Sequence, residues 1–363
     1  MLRDPDDGAM RARVAANAAQ LGLRLLDATS NDYLGLAQRS VSRETLGKAG
    51  AAASRLIHGT TDEHLRLETA LAAWVGAETA LLFSSTYSAN LGLIAALGIQ
   101  GSLVISDAFN HASLIDGARL AKAEVAVVPH LDLEAIRLLL RNRQSPCWVV
   151  TESYFSMDGD GPDLGALRSL CDSYGACLIV DEAHALGVFG PAGAGRCAQV
   201  GVRPDVLVGA LGKAVGTHGG FVAGPKLLRD YLWNRARSFV FSTAPSPAHA
   251  ALTEHQLRLA QQADALRAKL DSNAAHLRAR LTQAGLKLIQ GSFGPIISVV
   301  VGENARAIAV ADRLHRVGIL AQAIRPPTVP EGTARLRLTV KATFADDEID
   351  RLADAVEDAC RAS

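Results

Sequence analysis

Five short apolar runs constrain this chain more than anything else in it: "TALLF" from Thr79, "SLVIS" from Ser102, "CWVVT" from Cys147, "ACLIV" from Ala176 and "DVLVG" from Asp205. Each is about five residues long, which suits a strand and is short for a helix. The first four are each followed by a polar or Gly-containing loop and then by residues with helical spacing. Near-continuous apolar strands alternating with helices indicate a parallel sheet covered on both faces. In open sheets of this kind, ligands bind outside the carboxyl ends of the strands.

The remainder of the chain reads differently. Residues 248–284 carry apolar side chains at three- and four-residue spacing, as one or two long amphipathic helices do. Beyond them, "FGPIISVVVG" and "ARLRLTV" are strand-like and "NARAIAVADRLHRVG" is helix-like, which predicts a smaller α+β domain. "IRPPTVPEG", Ile324 to Gly332, is a Pro-rich loop between two of its elements. The expected organisation is an N-terminal segment 1–40 (a helix, then the loop "SNDYLGL"), a large domain 41–250 and a small C-terminal domain 251–363.

Composition excludes several classes of function. With 37 basic and 37 acidic side chains there is no electrostatic argument for nucleic acid or a membrane surface. "MLRDPDDGAMRARV" lacks the apolar core of a secretory signal, and no apolar run approaches the roughly 18 residues of a spanning helix. Cys147, Cys171, Cys177, Cys197 and Cys360 form no CxxC pair and no Cys/His metal spacing. They read as reduced thiols of a cytoplasmic protein without a bound metal.

The strand ends carry the chemistry. "DVLVGALGKAVGTHGGFVAGP" holds one formally charged side chain between Asp205 and Lys226, namely Lys213. Taken alone, such a lysine either snorkels out from apolar neighbours or is an amine tuned to form a Schiff base. "CLIVDEAH" ends its strand on Asp181, with His184 three residues later; "SLVISDAFNHAS" is followed by Asp107, Asn110, His111 and Ser113. "CWVVTESYFSMDGD" supplies Glu152 and Ser156, and "ALLFSSTYSANLG" supplies Ser84, Ser85, Thr86 and Ser88 at a helix start suited to phosphate. Singly, Asp181 reads equally well as a helix cap, the histidines as structural, and the serines as caps. Their joint occurrence at successive strand ends matches what pyridoxal 5′-phosphate (PLP) requires: an amine, a carboxylate for the ring nitrogen, a ring to stack, and phosphate donors. Rival motifs fail. A P-loop would need glycine at Leu207 and Ser or Thr at Ala214, "GPAGAG" lacks a strand immediately before it, and no GxSxG is present.

"NDYLGL", "SRLIHGTTDEHLRLE", "FNHASLIDG", "ESYFSMDGD", "VDEAHALGVFG", "LGKAVGTHGGFVAG" and "IRPPTVPEGTARLRLT" resemble, in order, the landmarks of the α-oxoamine synthases across about residues 30–340. The resemblance implies the PLP-dependent transferase fold type I. It further implies that Lys213 carries the cofactor and moves protons at the substrate α-carbon, that Asp181 bonds the pyridinium nitrogen, and that His111 stacks on the ring. His184, with Ser156 nearby, would bond the ring hydroxyl, and Thr86 and Tyr87 would occupy the phosphate-binding turn. Ser242 and Thr243 match a segment that reaches the phosphate from the other subunit, implying a homodimer. Arg337 would hold the amino acid carboxylate, with Thr328, Asn31 and Arg325 lining the substrate pocket. Arg11 and Arg13 are candidates for the arginine that meets the acyl thioester.

The Pro-rich loop is most similar to the branch that condenses L-alanine with a pimeloyl thioester, on coenzyme A or acyl carrier protein, to 8-amino-7-oxononanoate in biotin biosynthesis. A sister synthase with another amino acid or acyl chain, and a non-catalytic partner subunit of the same fold, are the alternatives. Three departures stand out: Thr86 where the family has glycine, Ala210 where it has threonine, and "GAAAS", Gly50 to Ser54, where it has a glycine-rich run.

Overall fold

The computed structural model describes residues 7–40, 49–141, 143 and 145–362. By internal contacts the chain forms two compact units. The larger comprises Leu34–Phe155 and Gly161–Arg267; the smaller comprises Met1–Tyr33, Ser156–Asp160 and Ala268–Ser363. The larger unit runs past residue 250 because helix Pro247–Gln261 packs on helix Asp62–Val75.

The larger unit is built on a seven-stranded sheet: β1 Thr79–Phe83, β2 Leu103–Asp107, β3 Glu124–Val128, β4 Cys147–Glu152, β5 Cys177–Asp181, β6 Val206–Ala210 and β7 Gly220–Gly224. Their spatial order is β1-β7-β6-β5-β4-β2-β3. Neighbours from β3 to β6 pair parallel, while β7 runs antiparallel to both β6 and β1. The apolar runs predicted as strands are all strands, and the sheet is mostly parallel as expected. β3 and β7 were not anticipated, and β7 is the one strand that breaks the parallel order.

Alternation along each strand explains why the runs are apolar throughout. Val104, Val150 and Ile179 face one buried cluster, shared with helix Thr86–Leu97 and Phe239. Their chain neighbours Leu103, Ile105, Val149, Leu178 and Val180 face a second cluster, shared with Leu167 and Cys171 of helix Leu164–Tyr174. The order reverses at β2: the chain steps outward to β3, then returns to lay β4 on the other side of β2. The crevice beyond the carboxyl ends of β2 and β4 is therefore the topological switch point at which such sheets bind ligands.

In the smaller unit, β8 Ile296–Gly302, β9 Gln322–Ile324 and β10 Ala334–Thr339 form an antiparallel sheet in the order β9-β10-β8. Helices Asn304–Arg316 and Asp346–Arg361 belong to the same unit. The segment 248–284 forms two helices, Pro247–Gln261 and Asp264–Gln283.

Candidate active site

Each member of the site owes its place to a local rule of chain geometry. Lys213 lies in the loop 211–219 between antiparallel β6 and β7. That loop closes on itself through Leu211 N–H to the Gly219 carbonyl (3.0 Å), Thr217 N–H to the Leu211 carbonyl (2.9 Å) and Gly216 N–H to the Lys213 carbonyl (2.9 Å). Asp181 is the last residue of β5 and is buried. Its Oδ1 accepts the Ala183 N–H at 2.8 Å, and its Oδ2 accepts the Asn90 side-chain amide at 2.7 Å. His184 is buried in the same strand-end turn.

His111 caps helix Ala112–Leu120: its Nδ1 accepts the Ser113 N–H at 3.2 Å and meets the Ser113 hydroxyl at 2.8 Å. Its own backbone N–H donates to Glu152 Oε1 at 2.6 Å, bridging the switch-point crevice from the turn after β2 to the end of β4. Glu152 lies opposite Asp181 in the β4–β5 register. Burial pushes the Glu152 carboxyl up to about 8, reinforced by the Asp181 charge and opposed by Lys213. His111 is exposed as a residue, yet desolvation by the surrounding protein lowers its pKa. Asp181 opposes that shift and Lys213 adds to it. The register pairing of Glu152 with Asp181 and the Glu152–His111 bond bring these three groups together, and the Lys213 charge acts on both shifted groups.

Helix Thr86–Leu97 starts beside this group. Ser85 caps it, its Oγ accepting the Ser88 N–H at 3.0 Å while Ser88 Oγ accepts the Ser85 N–H at 3.0 Å. Thr86 and Tyr87 occupy the first helical turn, where backbone N–H groups have no partner inside the helix and suit a phosphate. Gly220, at the start of β7, presses against this turn: a Cβ there would stand 2.5 Å from both Thr86 N and Thr86 Cα. Tyr87 sends its hydroxyl to Asp116, away from the helix axis. Asp107 and Asn110, also noted in sequence, are structural. Asp107 accepts from Phe109 N–H, Leu131 N–H and His130, and Asn110 donates to Ser106 Oγ and the Val150 carbonyl.

The bonds of Ser242 and Thr243 are local. Thr243 bridges to Ser54, and the Ala244 N–H donates to the Ala53 carbonyl at 3.0 Å. In the "GAAAS" run, Ala52 takes φ 58°, a left-handed conformation that glycine adopts at lower cost.

The expected substrate residues Arg337 and Asn31 come together in the smaller unit with Ser156, a residue expected at the cofactor. Buried Arg337 donates to the Ser156 carbonyl (2.6 Å), to Thr339 Oγ1 (2.9 Å) and to Asn31 Oδ1 (3.1 Å). Burial pushes the neighbouring Tyr33 hydroxyl up to about 12 against the pull of Arg337. Arg325 and Thr328 share a turn, with the Thr328 N–H donating to the Arg325 carbonyl at 3.0 Å. Arg11 is committed to an ion pair with Asp27, while the Arg13 side chain is exposed.

Sequence reading missed Asn90. A lone amide in the apolar stretch "TYSANLGLIAAL", one turn after Thr86, was the only available signal.

The donor set fits PLP: a buried carboxylate held by neutral donors at one strand end, a lysine in the next loop, an exposed histidine at a helix cap, and a helix start with free N–H groups. The profile of the aminotransferase class I and II family matches residues 24–356. Curated relatives include 8-amino-7-oxononanoate synthase of Marinobacter nauticus, 42% identical over 92% of this chain and 87% of the relative. That of Alkalilimnicola ehrlichii is 44% identical over 90% and 86%. Similar solved structures include serine palmitoyltransferase from S. paucimobilis with PLP bound, at TM-score 0.89 and 30% identity, covering 93% of this chain and 88% of that one. Another is 8-amino-7-oxononanoate synthase from Francisella tularensis, at TM-score 0.82 and 25% identity, covering 93% and 98%. The chain belongs to the aminotransferase class I and II family and, within it, to the α-oxoamine synthases.

Proposed function

We propose that this protein is a PLP-dependent acyltransferase that condenses L-alanine with a pimeloyl thioester to 8-amino-7-oxononanoate, the product for which the relatives above are named. The observation that carries this reading is the placement of His111, Glu152 and Asp181 at the carboxyl ends of β2, β4 and β5, with Lys213 in the loop after β6, in a chain 42–44% identical to such synthases. PLP, when bound, supplies an electron sink for the electrons released at the alanine α-carbon.

The chain's own residues do the rest. Asp181, fixed by Ala183 N–H and Asn90, holds the proton of the cofactor's ring nitrogen. The His111 ring stacks on the cofactor and shields it from water. His184 would bond the ring hydroxyl, and the helix start at Thr86 and Tyr87 would take the phosphate. Lys213 anchors the cofactor and takes the α-proton from alanine. Arg337 holds the alanine carboxylate, with Asn31, Arg325 and Thr328 beside the acyl chain. A carbon–carbon bond forms between the alanine α-carbon and the thioester carbonyl as the thiolate leaves and takes up a proton, the original carboxylate departs as CO2, and Lys213 returns a proton to the α-carbon in its place.

Ser242 and Thr243 act on the partner copy's phosphate in a homodimer. The strongly exposed Ile57 (78%) and Phe241 (73%), either side of the Ser54–Thr243 bridge, support such an interface. The protein works in the cytoplasm.

The test is mass spectrometry of products from a panel of amino acids and acyl thioesters, with Lys213→Ala as control. L-alanine with a pimeloyl thioester is expected to give the dominant product, and Lys213→Ala none. Preference for another pair would assign a sister synthase. Normal turnover by Lys213→Ala would remove the lysine from the mechanism.

A further inference from the structure

Asn90 is fully buried (0%) on helix Thr86–Leu97. Its Nδ2 donates to Asp181 Oδ2 at 2.7 Å and to Ser113 Oγ at 2.9 Å. An ionised carboxylate only accepts, so the amide nitrogen must face it. The Ser113 hydroxyl and backbone N–H both reach His111 Nδ1, at 2.8 and 3.2 Å. A backbone N–H only donates, so Nδ1 carries no proton and the neutral ring carries its proton on Nε2. One amide thus joins a helix start, a strand end and a helix cap. Asn90 Oδ1 has no hydrogen-bond partner among the described residues. A leucine or alanine, as found elsewhere along this helix, would strand no such acceptor, and rules of this kind are broken mainly where a site requires it.

We propose that Asn90 is a positioning residue that couples Asp181 to His111. It holds the Asp181 carboxylate against rotation and, by orienting the Ser113 hydroxyl, gives His111 Nδ1 a second donor that steadies the ring. The proposal rests on the PLP reading above and extends it to a residue outside the expected set. Asn90 acts through Asp181 and Ser113 rather than by touching substrate.

The test uses PLP-loaded protein and the variants Asn90→Ser, Asn90→Asp and Ser113→Ala. Serine is too short to span both acceptors, and aspartate keeps the shape of asparagine but brings a carboxylate towards Asp181. The readouts are the PLP dissociation constant, the circular dichroism of the bound cofactor's visible band, and the His111 tautomer. The tautomer is read from histidine 13C and 15N shifts, assigned by loss of the signal in His111→Gln.

Losing one charge-assisted hydrogen bond is expected to weaken PLP binding about tenfold or more in Asn90→Ser, and further in Asn90→Asp. The visible dichroism changes in both variants. In Ser113→Ala the backbone N–H still donates to Nδ1, so the His111 ring is expected to keep the Nε2–H tautomer, and Asn90→Ser combined with Ser113→Ala costs less than the sum of the two. A folded Asn90→Ser protein with wild-type PLP affinity and dichroism overturns the proposal, even if its thermal midpoint falls. Should Asn90→Ser fail to fold, wild-type PLP affinity and dichroism in Asn90→Asp overturn it instead. None of these readouts depends on which substrates are used. Wild type that binds no PLP overturns the functional reading and this inference together, whereas wild type that binds PLP with unaffected variants overturns the inference alone.

Discussion

Asp181 and Glu152 end adjacent strands as buried carboxylates, and their surroundings give them different work. Asp181 is held by two neutral N–H donors, an arrangement that leaves it ready to pair with a cation. Asp181→Asn keeps the shape and loses the charge, and turnover is expected to fall about a hundredfold or more, the usual size of removing one preorganised charge partner. Near wild-type turnover would make Asp181 a turn-forming residue only. Glu152 keeps its proton up to about pH 8 in the folded chain, against about 4.3 when unfolded. Folding therefore takes up a proton between those values, and this group's contribution to stability falls as pH rises from about 4.3 to 8. Glu152→Gln can still accept the His111 N–H without titrating. Its thermal midpoint relative to wild type, measured at fixed protein and PLP concentrations, should improve steadily from pH 5 to pH 8. Parallel profiles would contradict the raised value. At this scale the sequence showed which residue types end the strands but not which bonds they make. Glu152 is as visible as Asp181 in "VVTE" and "LIVD", yet the Glu152 bond to a backbone N–H across a crevice has no signature in the chain. Asn90 was hidden for the same reason: a single amide reports nothing until Asp181 and Ser113 are folded onto it.

Elements carry the phosphate site. The start of helix Thr86–Leu97 is useful only if β7 lies close to it, and Gly220 permits that approach. Gly220→Ala would force its Cβ into the Thr86 backbone, and overpacking of this kind costs about 1–3 kcal/mol. Both the unfolding free energy and PLP affinity are expected to fall, and a variant with unchanged PLP affinity would place the phosphate elsewhere. Ala210, at the end of β6, carries no hydroxyl, while Thr86 at the helix start carries one. Ala210→Thr should tighten PLP binding about tenfold or more if a charge-assisted bond is missing. Tightening that occurs only with Thr86→Gly would mean that the two hydroxyls substitute for each other. No tightening in either background would move the phosphate away from Ala210. The strands leading to these positions were legible because they are apolar on both faces. β7 was not, because "GFVAG" is bounded by glycines and has only three residues with β-carbons. Its antiparallel direction was beyond reach, since side-chain periodicity carries no sense of strand polarity.

For the whole molecule, the seven motifs in order made the family readable before any fold was known, and a profile match over residues 24–356 agrees. Assembly is a separate matter. If Ser242 and Thr243 complete a partner's site, the protein sediments as a dimer, and Ile57→Asp with Phe241→Asp should yield monomers that bind PLP more weakly. A monomeric wild type with full PLP affinity would remove the shared site. The central claim is a condensation in which alanine loses its own carboxylate. It is tested most directly with L-[1-13C]alanine and a pimeloyl thioester, following label and thiol together. The account predicts that all label appears as CO2, with unlabelled 8-amino-7-oxononanoate and free thiol formed in equal amounts. Label retained in the acylated product, or thiol released without loss of CO2, would contradict it.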